Sequence, residues 1–312
     1  MMTVNTKTSI AGIPFSSYVC NASGPKCTTR EELIKLGESA SSAIVMKTCT
    51  ILPREGNPEP RLHYINRQSL VQSMGLPNLG YEKYVELSSL LKSYGKPVIA
   101  SIAGFTLDEY IVLADAFQKS DVDMIEVNVS CPNISGKPQV GYDFGQMADL
   151  LSLICGHGKK PIGLKLPPYF DPAHWDAMAD LFLSYKVSFI TCINSIGNTL
   201  VIDPWKRSTV IKPKKGLGGL SGRTIEPIAL ANVRAFYERF SGAVSIFGVG
   251  GITNGVDAFK FLLAGADAVQ VGTLFEIEGN GCFSLVDCGV DGMLKYHGFA
   301  SIEEAKGQLL YL

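Results

Sequence analysis

The sequence predicts an α/β fold, a single (β/α)8 TIM barrel spanning residues 1–312, and three observations carry that prediction. Strand-like and helix-like segments alternate along the whole length, the pattern of a parallel sheet covered by helices. The strand-like segments number eight, which is the number that closes a barrel. The residues that end those segments are polar and glycine-rich, and barrel sites collect where strands end and βα loops begin. An open, doubly wound sheet is the alternative architecture. The length of 312 residues is large for one domain, yet barrels reach it undivided.

Each element has its own local signal. Tyr18–Ala22 is a short apolar strand. Thr28-Thr29-Arg30-Glu31 reads as a capping box, opening a helix to about Ser39. Ala43–Lys47 is the second strand, and a long loop, Thr48–Gly80, follows it. Loops this long inside a compact unit are usually functional. A helix from Glu82 leads to the third strand, Pro97–Ala103. Thr106-Leu107-Asp108-Glu109 is a second capping box, with a helix to about Lys119. The fourth strand lies in Ile125–Asn133, where Ile125, Val127 and Val129 alternate with polar residues until Cys131-Pro132 stops the strand. A helix from about Gln146 precedes the fifth strand, Pro161–Leu166. Asp171-Pro172 is an N-cap with proline at the first helical position, and its helix runs to about Ser184. Val187–Ile193 is the sixth strand. A second long loop, Asn194–Thr224, holds the run KPKKGLGGLSG, whose lysines suit a solvated flap and a binding site equally well. A helix near Glu226–Phe240, the strand Val244–Gly248, a helix near Asn254–Ala264, the strand Asp267–Val271 and a helical tail complete the chain.

Composition excludes several functions. Lys and Arg total 28 against 29 Asp and Glu, a net charge of −1, so no single-sign field points to nucleic acid. The N-terminus has neither a basic leader nor a long apolar run, and no stretch of about 18 apolar residues occurs, so neither a signal peptide nor a membrane span is expected. The eight cysteines form no CxxC pair and no zinc spacing. They read as reduced thiols of a cytoplasmic protein, with no metal and no iron–sulfur centre expected.

Chemistry concentrates at the strand ends. Cys131 is a thiol at a strand end, flanked by Asn128 and Asn133, whose amides offer donors and acceptors to a planar ring bearing carbonyls and N–H groups. Gly250-Gly251 and Gly272-Thr273 follow strands seven and eight, where barrels often build phosphate sites from close backbone approach. Lys47 and Lys165 end strands two and five in apolar company, and a buried ammonium needs an anionic or carbonyl partner. A phosphate-bearing flavin with a small anionic substrate would meet both needs.

The runs REGNPEPR (54–61), SMGLPNLG (73–80), NVSCPN (128–133), GKPQVGYDF (136–144), KLPPYFD (165–171), INSIGN (193–198), VIKPKKGLGGLSG (210–222) and ALANVRAFY (229–237) resemble those of dihydroorotate dehydrogenases. The resemblance is to the soluble, fumarate-dependent class 1A and runs from about Asn21 to the C-terminus. It implies FMN at the C-terminal mouth of the barrel. It also implies oxidation of (S)-dihydroorotate to orotate in pyrimidine biosynthesis, reduction of fumarate to succinate, and a homodimer. Cys131 would be the general base at C5 of the substrate, with hydride passing from C6 to flavin N5. Lys165 would stand by the flavin N1/C2 carbonyl edge. Lys47, Asn128, Asn133, Asn194 and Ser195 would hold the substrate, with Gln72, Met74, Gly75 and Leu76 of the first long loop. Ala22, Ser23, Lys47, Thr48, Asn128, Lys165, Ile193, Gly222, Gly250, Gly251, Gly272 and Thr273 would hold FMN. The chain departs from the pattern at Gln72, which replaces a substrate-binding asparagine by a side chain one methylene longer. Two further readings remain at this stage: an FMN oxidoreductase acting on a related dihydropyrimidine, and a catalytically silent barrel homologue.

Overall fold

Eight short strands are the frame on which the rest hangs. The computed structural model describes residues 4–131, 139–156 and 158–312. The strands are β1 (Val19–Asn21), β2 (Ile44–Val45), β3 (Val98–Ile102), β4 (Met124–Asn128), β5 (Ile162–Leu166), β6 (Phe189–Cys192), β7 (Ser245–Val249) and β8 (Ala268–Val271). Their order is β1-β8-β7-β6-β5-β4-β3-β2, and every pairing is parallel. The open-sheet alternative fails because the last strand pairs with the first, Val269 against Val19 and Val271 against Asn21. The strands are buried on both faces, which is why they read as nearly continuous apolar runs.

One seam closes differently. Between β1 and β2 the side chain of Asn21 stands in for a ladder. Its Oδ1 accepts from Val45 N–H at 2.9 Å and its Nδ2 donates to the Val45 carbonyl at 2.8 Å. Asn21 is fully buried.

The outer ring is α1 (Arg30–Glu38), α2 (Tyr81–Lys92), α3 (Leu107–Gln118), α4 (Phe144–Ile154), α5 (Pro172–Ser184), α6 (Glu226–Phe240) and α7 (Gly255–Ala264), with α8 (Thr273–Glu278), α9 (Gly281–His297) and α10 (Ile302–Ala305) after the last strand. The first capping box sits one residue later than the sequence suggests. Thr29 is the N-cap and Glu32 its reciprocal partner, because Glu32 Oε2 also takes Thr28 N–H. Thr106 caps α3 through Glu109 N–H, but the Glu109 carboxylate turns to Phe105 N–H rather than back to Thr106.

The two long loops are not bare. Leu62–Asn66 and Ser69–Gln72 from the first, with Ile196–Leu200 and Leu217–Gly222 from the second, pair as a four-stranded antiparallel sheet. Gln72 pairs with Leu62 on one side and Gly219 on the other. A further hairpin, Thr8–Ile10 with Ile13–Phe15, covers the opposite end of the barrel. There Thr8 Oγ1 donates to Asp267 O at 2.7 Å, and the Phe15 ring meets Phe247 edge-on at 5.8 Å.

Candidate active site

The C-terminal ends of the strands surround a cavity of about 510 Å³, roofed by the lid sheet. Cys131 lies three residues past the end of β4, half-buried and lining the cavity. The remaining thiols are set apart from it. Burial pushes Cys27 and Cys155 up to about 11 and Cys282 up to about 12, and Cys20, Cys49 and Cys192 higher still. Cys288 is exposed and lies away from the cavity. Asn133 falls outside the described residues.

Two ammonium groups share the cavity. Lys165, on β5, is 5% exposed and makes no side-chain hydrogen bond or ion pair with the described residues. Lys47, just past β2, donates to the Gly24 carbonyl at 2.6 Å. Burial lowers its pKa from the ordinary lysine value and the nearby Lys165 charge lowers it further, while Cys27 and Cys131 act the other way. Two neighbouring cations, with no carboxylate bonded to either among the described residues, favour an anionic occupant.

Polar side chains line the rest of the wall. Asn128 Nδ2 donates to Thr48 Oγ1 at 3.3 Å, and Thr48 and Ser23 share a hydroxyl contact at 2.9 Å. Asn194 Nδ2 donates to Ser130 Oγ at 3.0 Å, and Asn194 Oδ1 accepts Ser195 N–H at 2.8 Å. From the lid, Gln72 Nε2 donates to Ser195 Oγ at 3.3 Å, and Gln72 Oε1 accepts Met74 N–H at 3.2 Å. Met74, Leu76, Ala22 and Ile193 also line the cavity. Gly75 does not; its carbonyl accepts from Arg54 Nε at 3.2 Å. Lys212, Lys214 and Lys215 lie away from it as well, and Lys214 is bonded to Asn198 at 3.1 Å.

One end of the cavity is bare backbone. Gly250 and Gly251 have φ of 127° and 85°, and a Cβ at Gly251 would fall 2.5 Å from Glu226 Cβ, so glycine is required there. Gly272 is the converse case. A Cβ on it would touch only Ala22 Cβ, at 3.7 Å, and would otherwise fill cavity space. Gly222 and Thr273 line the same end.

Comparison with known proteins meets this geometry. The family model described as dihydroorotate dehydrogenase matches residues 5–294. The chain belongs to the dihydroorotate dehydrogenase family. It is 44% identical to the putative dihydroorotate dehydrogenase A (fumarate) of Streptococcus agalactiae serotype Ia, covering 99% of this chain and 100% of that protein. It is also 44% identical to the dihydroorotate dehydrogenase (fumarate) of Kluyveromyces lactis, over 95% of each. The probable dihydroorotate dehydrogenase A (fumarate) of Streptococcus pneumoniae serotype 4 is 41% identical over 99% of each.

Dihydroorotate dehydrogenases are flavin-dependent, and the cavity fits such a group: its wall holds a buried ammonium with no partner among the described residues, and a glycine cradle. Among the described residues no cluster of His, Cys, Asp or Glu could hold a metal ion, and no helix is long and apolar enough to cross a membrane. Sequence reasoning passed over Glu126 and Gln270, which meet inside the barrel of this family member. Their signal was a charged or amide residue in the middle of a strand that is otherwise apolar and buried on both faces.

Proposed function

We propose that this chain oxidises (S)-dihydroorotate to orotate in pyrimidine biosynthesis, with FMN bound in the barrel mouth and fumarate as electron acceptor. The observation that carries the reading is the placement of Lys165, a buried cation without a side-chain partner among the described residues, in one cavity with the Cys131 thiol and two glycine turns. The names of the relatives supply the substrate and the acceptor. By resemblance the enzyme works as a cytoplasmic homodimer.

Bound FMN supplies the hydride acceptor for C6 of the substrate. The backbone at Gly250, Gly251, Gly272 and Thr273 would hold its phosphate, with Ala22, Ser23, Thr48, Ile193 and Gly222 along its length. Lys165 would give a fixed positive charge where the reduced ring gathers electrons, and a preorganised charge costs no reorganisation at the moment of reaction. Lys47, Asn128, Asn194 and Ser195 would grip the substrate carboxylate and carbonyls, with Gln72, Met74 and Leu76 closing from the lid. Cys131 Sγ removes the C5 proton. An ordinary thiol has a pKa of about 8.5, close enough to neutrality to serve as a base beside a carbonyl.

The test is anaerobic stopped-flow absorbance of the purified flavoprotein. Dihydroorotate should bleach the flavin and fumarate should restore it. A flavin that stays oxidised with dihydroorotate yet bleaches with another dihydropyrimidine would replace this substrate assignment with that one.

A further inference from the structure

The barrel interior beneath the cavity holds a carboxylate that the proposed chemistry does not use. Glu126 on β4 is fully buried. Its Oε1 accepts from Ser101 Oγ of β3 at 3.1 Å. Its Oε2 accepts from Thr191 Oγ1 of β6 at 2.8 Å and from Gln270 Nε2 of β8 at 3.3 Å. A carboxylate oxygen accepts and does not donate, so the Gln270 amide must turn its NH2 toward Glu126. That choice fixes the other end. Gln270 Oε1 is buried with no hydrogen-bond partner among the described residues, and Gln270 lines the cavity. A buried carbonyl oxygen left unpaired is destabilising, so it needs a donor from whatever occupies the cavity.

We propose that Glu126 and Gln270 form a positioning pair that holds Gln270 Oε1 as a fixed acceptor for a hydroxyl of the ribityl chain of FMN. The inference rests on the flavin reading and deepens it. Gln270 lies two residues before Gly272, about 7 Å back along the strand. With a phosphate held at Gly272-Thr273, the group within reach of Gln270 is the polyol next to that phosphate rather than the ring beyond it. The polyol offers O–H donors, which an acceptor-only oxygen requires.

The experiment titrates the apoprotein with FMN, and with an FMN analogue whose ribityl hydroxyls are replaced by hydrogen, following the flavin fluorescence. Gln270→Met keeps the side-chain volume and removes the acceptor. It should weaken FMN about 10-fold while leaving the analogue unchanged relative to wild type. The exchange Glu126→Gln with Gln270→Glu returns an acceptor to the cavity and should recover most of the FMN affinity. Equal FMN affinity in wild type and Gln270→Met overturns the proposal, as does an equal loss for FMN and analogue, which marks a structural role alone. Should Gln270→Met not fold, the exchange pair decides: it supports the proposal by preferring FMN to the analogue as wild type does, and overturns it by binding both alike. Wild-type apoprotein that binds no FMN overturns the cofactor reading itself, and this inference with it.

Discussion

The strand tips and the lid enclose the same cavity by different means. Asn128 and Lys165 are register partners in the parallel ladder of β4 and β5, and both are buried. Their positions follow from the barrel core. Gln72 belongs to a lid strand paired with Leu62 and Gly219, and the outer lid strand Leu62–Asn66 is largely exposed. The Gln72 side chain reaches the tips through its 3.3 Å bond to Ser195 Oγ, and its other end accepts Met74 N–H within the lid at 3.2 Å. Groups that must meet reacting atoms within fractions of an ångström belong on the rigid part, and groups that admit and release ligand belong on the part that can move. Substitutions at the tips should therefore act on the rate of chemistry, and substitutions in the lid on affinity.

The largest effect expected is at Cys131. Cys131→Ser should still bind orotate and lose roughly 10²–10⁴ in the rate of flavin reduction, the usual contribution of a general base. Single-turnover reduction by dihydroorotate measures it, and a serine variant within a few-fold of wild type would remove Cys131 from the role. Lys165→Met comes next. It should slow flavin reduction by about 10²-fold or more, the scale of one lost charge-stabilising group. A change confined to orotate affinity would instead make Lys165 a binding residue and erase the contrast with the lid.

Gln72→Asn tests the lid. The shorter side chain cannot keep both Ser195 and Met74, so orotate affinity should fall by about 5-fold or more with the reduction rate at saturation little changed. Spectral titration with orotate, paired with stopped-flow reduction, separates the two quantities; a fall in rate alone would contradict the division of labour. The smallest effect is on pH. Lys47 has a lowered pKa, so its charge is present at low pH and lost as pH rises through a value below the ordinary 10.5. Orotate binding should weaken about 2- to 5-fold as the solution becomes alkaline, the scale of a partly solvated ion pair. Lys47→Met should flatten that slope; an unchanged slope would assign it elsewhere.

The tips were legible because their signals are local. Lys47 and Lys165 stand out as charges ending apolar strands, and Gly250-Gly251 and Gly272-Thr273 as punctuation after the last two strands. The lid was not. Ser69–Gln72 meets Leu217–Gly222, about 150 residues away, and the two become a sheet only when the barrel brings the loops together. Glu126 was hidden for another reason. In an alternating run such as Ile125–Ser130 a polar residue is read as facing water, whereas here that face is the barrel axis.

Asn21 gives the barrel a latch where the other neighbours have a zipper. The adjoining strands share ladders that loosen one rung at a time, whereas β1 and β2 meet through the Asn21 amide, bonded to both polar groups of Val45, with Ser42 on the Val19 carbonyl and Ser41 on the Asn21 N–H just before β2. Such a joint rests on a few side-chain bonds rather than on a repeating ladder. It lies directly below Ser23 on one side and Lys47 and Thr48 on the other, all at the cavity wall. A ligand that bridges those residues from above adds a second fastening to the same joint, so binding at the mouth and integrity of the ring reinforce each other at this one place on the circumference.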